Sequence, residues 1–283
     1  MSEKMKVQTQ DYPVTYKRTP AMDRQIRKEI GDGIFPVLKP YGFVRKNNHF
    51  ARIVGVPQFI QTVSVDYRRY YDPMICVDVM PLYNIHAFWE SFFRGINLGY
   101  EFAPGPTPED IAGLRLFKDY GLNSYLRGQT NYGDAIEKDK ELLADVVMPI
   151  LESVEDPASY LRALCQLLHR NDVEGSFADN WLLGRYDKIE CAVASINPDR
   201  FIAFGWNYEH PIIDENGQWN EDATKARLRA DCDVFLAAIA NRDHKSVLNW
   251  MNRSIEYAYE NMRKYFATLS KTYEMRLITF CQR

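Results

Sequence analysis

An α+β protein is predicted by three features of the sequence. Apolar residues recur every fourth position from Met22 to Leu38, the spacing of a helix with one narrow buried stripe. Between Phe43 and Met80 the pattern changes to period two, punctuated by turn residues, as in an antiparallel meander. Beyond Asp110 the pattern is almost wholly helical. Together these give an N-terminal helix packed on an antiparallel β-meander, followed by a mostly α-helical bundle.

Length and composition set the frame. With 283 residues, 46% apolar and 13% aromatic, the chain is long enough to bury one large core or two smaller ones. The start, Met1 to Gln8, has no apolar signal core, and charges interrupt every apolar run well short of the ~18 residues a membrane span requires. A cytoplasmic location with no membrane partner is expected. The five cysteines (Cys76, Cys165, Cys191, Cys232 and Cys281) are scattered singly, which argues against a disulfide framework and a cysteine-rich zinc site. The net charge of -3 conceals an asymmetry: residues 1–70 hold 13 Lys+Arg against 6 Asp+Glu, and residues 71–283 hold 22 against 32. Attraction between a basic front and an acidic back within one molecule is the favoured explanation; an anionic ligand is the other.

Residues 1–20 read as an irregular leader punctuated by Pro13 and Pro20. The first helix carries Met22, Ile26, Ile30, Ile34 and Leu38 on one face, while Gly31, Gly33 and Pro36 predict a kink or an early end in its second half. Gly42 is placed for a helix-to-strand turn with positive φ. Strands are predicted at Phe43–Lys46, His49–Val54, Gln58–Tyr67 and Met74–Met80, with turns at Asn47-Asn48 and Gly55-Val56-Pro57. On the third strand Phe59, Gln61, Val63 and Val65 share one face and Thr62, Ser64 and Asp66 the other. On the fourth, Ile75, Val77 and Val79 oppose Cys76 and Asp78.

Asn84 is a suitable N-cap for a short aromatic helix whose apolar positions cover more than one stripe. The best domain boundary is Phe102 to Asp110, where Pro and Gly cluster and Thr107-Pro108 announces a new helix. The predicted units are therefore a leader at 1–20, an α+β domain at 21–102 and a helical domain at 107–283 packed against it. In the latter, Leu142, Leu143, Val146, Val147, Ile150 and Leu151 define one face, and Asp156-Pro157 opens a helix through Leu161, Leu164, Leu168 and His169. Trp181 to Ala192 resembles half of a tetratricopeptide-type hairpin, but a single copy reads as a lone hairpin inside a bundle. Phe201 to Tyr208 reads as a buried connection and Asp214 to Gly217 as a turn. Two antiparallel helices then close the chain across a turn near Arg242-Asp243. One is lined by Leu228, Cys232, Phe235, Leu236 and Ile239, the other by Val247, Met251, Ile255, Ala258, Met262, Phe266 and Leu269.

The run from Val37 through Lys39-Pro40-Tyr41-Gly42-Phe43 to Arg52, with Gln58 and Gln61 in the next strand and a strand ending at Pro81-Leu82, resembles the opening of a bacterial family catalogued as domain of unknown function 4304. The resemblance spans roughly residues 22–82. It implies a bacterial cytosolic protein with no assigned activity, and it brings no catalytic residues.

The residues that bear chemistry form three groups. Tyr67-Arg68-Arg69-Tyr70-Tyr71, with Arg45, Lys46, His49 and Arg52 in the same sheet, would make a basic, stackable surface for a phosphate-bearing or single-stranded ligand; an acidic protein surface is favoured over nucleic acid, and glue between the sheet edge and an acidic helix is the plain reading. Asp66 and Asp78 lie on the polar face of successive strands; a close pair would do acid–base work, while solvation or neutralisation by Arg52 or Arg68 is the plainer reading. Phe88, Trp89, Phe92 and Phe93 are candidate interface residues. The five histidines are far apart in sequence, and no GxSxG elbow, P-loop or GxGxxG motif occurs, so no metal site and no cofactor are predicted. The expected function is a non-catalytic binding or protein-interaction module with a protein partner, catalytic residues being unknown. The alternatives are a hydrolase acting on a phosphorylated or acidic substrate, and single-stranded nucleic-acid binding, which the sequence pI of about 6.0 disfavours.

Overall fold

The computed structural model describes residues 20–66, 74–83, 133–168, 173, 175–189 and 212–279. Helix α1 (Pro20–Leu38) leads through a 3-10 turn at Lys39–Tyr41 into a four-stranded sheet of β1 (Val44–Lys46), β2 (His49–Val54), β3 (Phe59–Asp66) and β4 (Met74–Pro81). The strands pair antiparallel in sequence order, as a meander. Then come α2 (Gly133–Leu142), a π-turn at Leu143–Val147, α3 (Met148–Glu152), α4 (Pro157–Leu168) and α5 (Phe177–Leu182). The chain closes with α6 (Glu221–Ala240), α7 (His244–Tyr265) and α8 (Ala267–Thr272). The predicted helix, meander and helical bundle are all present.

Local signals account for the sheet. Gly42 adopts φ 85° at the corner, where an added Cβ would also crowd the Tyr273 hydroxyl at 2.9 Å. Asn47, at φ 56°, makes the first hairpin turn, and asparagine tolerates that region better than most residues.

Helix α1 does not end early: it runs to Leu38, and Ile30, Ile34 and Leu38 are completely buried. Gly33 has a packing reason, since a side chain there would collide with Ile136 of α2. Close approach of the two helices thus offsets the helix propensity lost at glycine. Phe35 of α1 stacks on Phe50 of β2 with centroids 5.6 Å apart, anchoring the helix on the sheet.

The sheet is covered on both sides. One face, carrying Arg45, Phe50, Arg52, Gln61 and Val63, meets α1 and the end of α3; Gln61 Nε2 donates to the Leu151 carbonyl at 2.6 Å. The other face, which the sequence presents as polar, is not a solvated surface, because Thr62 and Ser64 are buried. Gln58, which the alternation places with Thr62, ties β3 to α7 and the segment after α8. Its Nε2 donates to Glu274 O at 2.8 Å, and its Oε1 accepts from Arg276 N at 2.9 Å. Asn252 of α7 grips Ile278 in the same two-bonded way, at 2.8 and 2.9 Å. Two side-chain amides therefore hold residues 274–278 as a neighbouring strand would.

Among the helices, Leu143, Val147, Met148 and Leu151 form the buried stripe of the α2–α3 stretch. Trp181 sits in the last turn of α5, which ends before Gly184 (φ 67°). The predicted hairpin beginning at Trp181 is thus a helix end there, followed by a short helical turn at 186–189. A seam of rings joins α5, α6 and α7: Phe177 meets Trp181 and Phe235, and Phe235 meets Trp250, at centroid distances of 5.3 to 5.7 Å. The predicted buried stripe of α7 is present in full from Val247 to Met262 and continues through Phe266 and Leu269. The aromatic helix at Asn84–Phe93, the boundary at 102–110 and the connection at 201–208 lie outside the described residues.

Candidate functional site

Strand alternation decides what the sheet's charged residues are able to do. Arg45 lies opposite Phe50 and Arg52 opposite Gln61, whereas Lys46 lies opposite His49. The four basic groups are thus divided between two faces and do not form one surface.

On the α1 side both guanidiniums are engaged. Arg45 pairs with Asp32 at 2.7 Å, donates to the Asn47 carbonyl at 2.7 Å and lies 5.4 Å from the Phe50 ring centre. The hydrogen bonds from Lys28 and Arg45 hold the Asp32 carboxyl below its ordinary range. Arg52 is 4% exposed. Its Nε donates to Gln61 Oε1 at 2.7 Å, its Nη1 donates to Tyr41 O at 2.9 Å and pairs with Glu152, and the group lies 5.0 Å from the Phe43 ring centre. Nη2 is buried without a hydrogen-bond partner among the described residues. A guanidinium so enclosed ties β2 to β3, the 3-10 turn and α3, and its charge is answered inside the fold.

The opposite face carries a polar grid. One row across the strands is Lys46, His49, Ser64 and Cys76; the next is Val44, Ala51, Thr62 and Asp78. Ser64 and Thr62 are 6% and 5% exposed, while His49, Cys76 and Asp78 are half-buried. The Thr62 hydroxyl has no hydrogen-bond partner among the described residues. Burial pushes the Asp78 carboxyl up to about 7. Arg52 does not neutralise Asp78, because it points to the other face. Asp66 pairs with Met74 and Asp78 with Thr62, so the two acids are four positions apart along the ladder, about 13 Å at strand rise. The register does not bring them together as an acid–base dyad.

A second buried acid lies between elements. Tyr83, just after β4, donates to Asp179 Oδ1 at 2.7 Å, and Asp179 also accepts from the Ser176 amide and hydroxyl, each at 2.8 Å. Burial raises the Asp179 carboxyl against the lowering effect of these bonds, and burial followed by the Asp179 charge raises the Tyr83 phenol. Tyr160 is raised by burial, then by Asp179 and Asp78. The arrangement caps α5 and anchors it to the sheet, using all three donors on one carboxylate.

Of the residues singled out from sequence, Tyr67, Arg68, Arg69, Tyr70, Phe88, Trp89, Phe92 and Phe93 lie outside the described residues. Sequence reasoning missed Thr62, Ser64 and Cys76 as companions of His49 and Asp78. Alternation supplied half of that signal, and pairing register the rest. Among the described residues no group of three or more His, Cys, Asp or Glu side chains is placed to hold a metal ion, and no helix is long and apolar enough to cross a membrane. No protein-family model, curated protein or solved structure matches the chain.

Proposed function

We propose that this protein is a non-catalytic protein-interaction module, cytoplasmic and of bacterial origin. The observation that carries the reading is a small hairpin before α6, bridged at Ile213 and Trp219, whose two apolar side chains are 53% and 42% exposed. Its shape is held locally: Asp214 Oδ1 accepts from Asn216 N and Gln218 N, Gly217 turns at φ 75°, and Trp219 Nε1 donates to Thr224 Oγ1 at 3.2 Å. A rigid exposed Trp–Ile pair suits an interface anchor, since little side-chain entropy is lost on binding. Exposed Glu215 and Asp222 rim it, beside Glu221, whose charge is paired with Lys225 at 2.6 Å. This rim favours a protein partner with an apolar pocket edged by Lys or Arg, and repels nucleic acid and anionic membrane. The spent arginines of the sheet support the same preference. The bacterial, cytosolic part rests on the resemblance read in the sequence at residues 22–82, which no family model matches, and on single cysteines and charge-interrupted apolar runs.

Affinity capture with the wild type and an Ile213→Ser/Trp219→Ser variant tests the reading, with melting temperature as the folding control. A specific partner retained by the wild type and lost by an equally stable variant is expected. Equal retention by both, or a thermal shift with a phosphorylated small molecule and no retained partner, would overturn it.

A further inference from the structure

The segment after α8 has the form of a strand but pairs with no strand among the described residues. Tyr273 leaves the helix in extended conformation, at φ -116° and ψ 129°. From there one edge of the main chain is held at alternate residues. Glu274 O accepts from Gln58 Nε2 and, at 3.0 Å, from the Tyr259 hydroxyl; Arg276 N donates to Gln58 Oε1; Ile278 N and O both bond to Asn252. In an extended chain the N–H and C=O of one residue point to one edge, and those of the next residue to the other. Met275 and Leu277 therefore turn their main-chain groups away from Gln58 and Asn252, and among the described residues these groups have no hydrogen-bond partner. Leu277 is 40% exposed, and Glu274 and Arg276 are exposed as well. Such an edge, fixed from behind and open in front, is a template for a second strand.

We propose that this edge pairs with the same edge of a second copy of the chain, antiparallel and about a two-fold axis at Met275. In that register Met275 N–H and C=O exchange hydrogen bonds with Met275 of the second copy. Leu277 N–H of each copy donates to Tyr273 O of the other; the Tyr273 N–H is already spent on Leu269 O. Glu274 and Arg276 then stand directly opposite Arg276 and Glu274 of the second copy, at the close, non-hydrogen-bonded positions of the ladder. Neither residue has an ion-pair partner in its own chain among the described residues.

Charge selects both the register and the partner. An axis at Arg276 sets two arginines face to face, and one at Leu277 sets Arg276 against Ile278; only the axis at Met275 matches opposite charges on both of its sides. The match is self-complementary, as an isologous contact requires, whereas an unrelated extended peptide has no reason to carry it. A strand pair of this length buries less than the ~1,000 Å² of a lasting interface, so a weak dimer is expected, with a dissociation constant on the order of 10–100 μM. This inference is independent of the partner-binding reading, which concerns the hairpin before α6.

The test is sedimentation velocity of the full chain from ~5 to ~500 μM, with melting temperature at the lowest concentration as the folding control. The wild type is expected to pass from monomer to dimer over that range. Arg276→Glu and Glu274→Arg each set like charges opposite one another and weaken association at least ~10-fold. Mixed in equal amounts, the two variants associate again, because each copy then meets the opposite charge. Leu277→Pro removes an outward N–H, leaves the bonds to Gln58 and Asn252 in place, and also weakens association at least ~10-fold. A wild type that stays monomeric throughout overturns the proposal, whether the edge is idle or kept for a different extended chain. A dimer that all three variants leave unchanged, or a mixture no more associated than its components, overturns it equally.

Discussion

The sheet and the outer surface of the closing helices use their polar and apolar residues in opposite ways. In the sheet, charged and amide side chains are drawn inward: Arg52, Gln58 and Gln61 are each at most 4% exposed, and each bonds to an element distant in sequence. On the hairpin before α6 and on α6 itself, large apolar side chains stand in solvent, Val234 at 63% and Ile213 at 53%. Polarity inside and apolarity outside are both costly to a folded chain unless each has a use. For the first, the use is architectural, because a meander with helices over both faces needs fixed links between layers. For the second, the use would be the partner binding proposed above.

The largest expected effect sharpens the first half of this contrast. Gln61→Leu keeps the volume but leaves the Arg52 Nε–H and the Leu151 carbonyl without their partner, so a loss of about 3–4 kcal/mol is expected by equilibrium denaturation. A loss below about 1 kcal/mol would mean that the interior links are incidental.

Asp78 gives the pH signature of the same region. Its carboxyl lies near 7 in the folded state, against about 3.9 unfolded, so between these values the folded protein holds the extra proton. Stability is therefore expected to fall as pH rises from about 4 through about 7, and to flatten above. Asp78→Asn removes that slope and raises stability at pH 8 by about 2–4 kcal/mol, the range allowing for residual solvation of a half-buried group. Asp156 runs in the other direction. The Ser159 amide and hydroxyl hold its carboxyl below the usual range, so its contribution is present above about pH 4 and lost on acidification.

Gln58→Ala releases residues 274–278 from the sheet, and about 2 kcal/mol of destabilisation is expected, with faster amide exchange at Arg276 as its local sign. The smallest effect belongs to the outer surface. Val234→Ala should change stability by less than about 0.5 kcal/mol, because the side chain buries little area in the fold. A larger loss would place Val234 in an intramolecular contact and weaken the contrast.

The elements of the fold were legible because their signals are local. Alternation from Phe59 to Val65, asparagine at the first hairpin and glycine at position 42 each specify backbone conformation within a few residues. The two-sided covering of the sheet was not legible. Thr62 and Ser64 look like a solvated face, and what buries that side depends on tertiary packing; the links on the two faces, Gln58 to Glu274 and Gln61 to Leu151, close over 216 and 90 residues. That Arg45, Lys46, His49 and Arg52 do not share one face has a simpler reason. Arg45 and His49 are near each other in sequence, yet the register places them on opposite faces. Gly33 shows the reverse case, where apparent helix weakness is the mark of a close helix contact.

The most direct test of the claim that the sheet's arginines work inside the fold is equilibrium denaturation of Arg52→Lys beside the wild type, at low and high salt. An ammonium keeps the charge but cannot reach Gln61, the Tyr41 carbonyl and Glu152 together as the guanidinium does. The expected result is a loss of about 2 kcal/mol that salt hardly changes. A variant as stable as the wild type would contradict the account and return Arg52 to the set of cations available to a ligand.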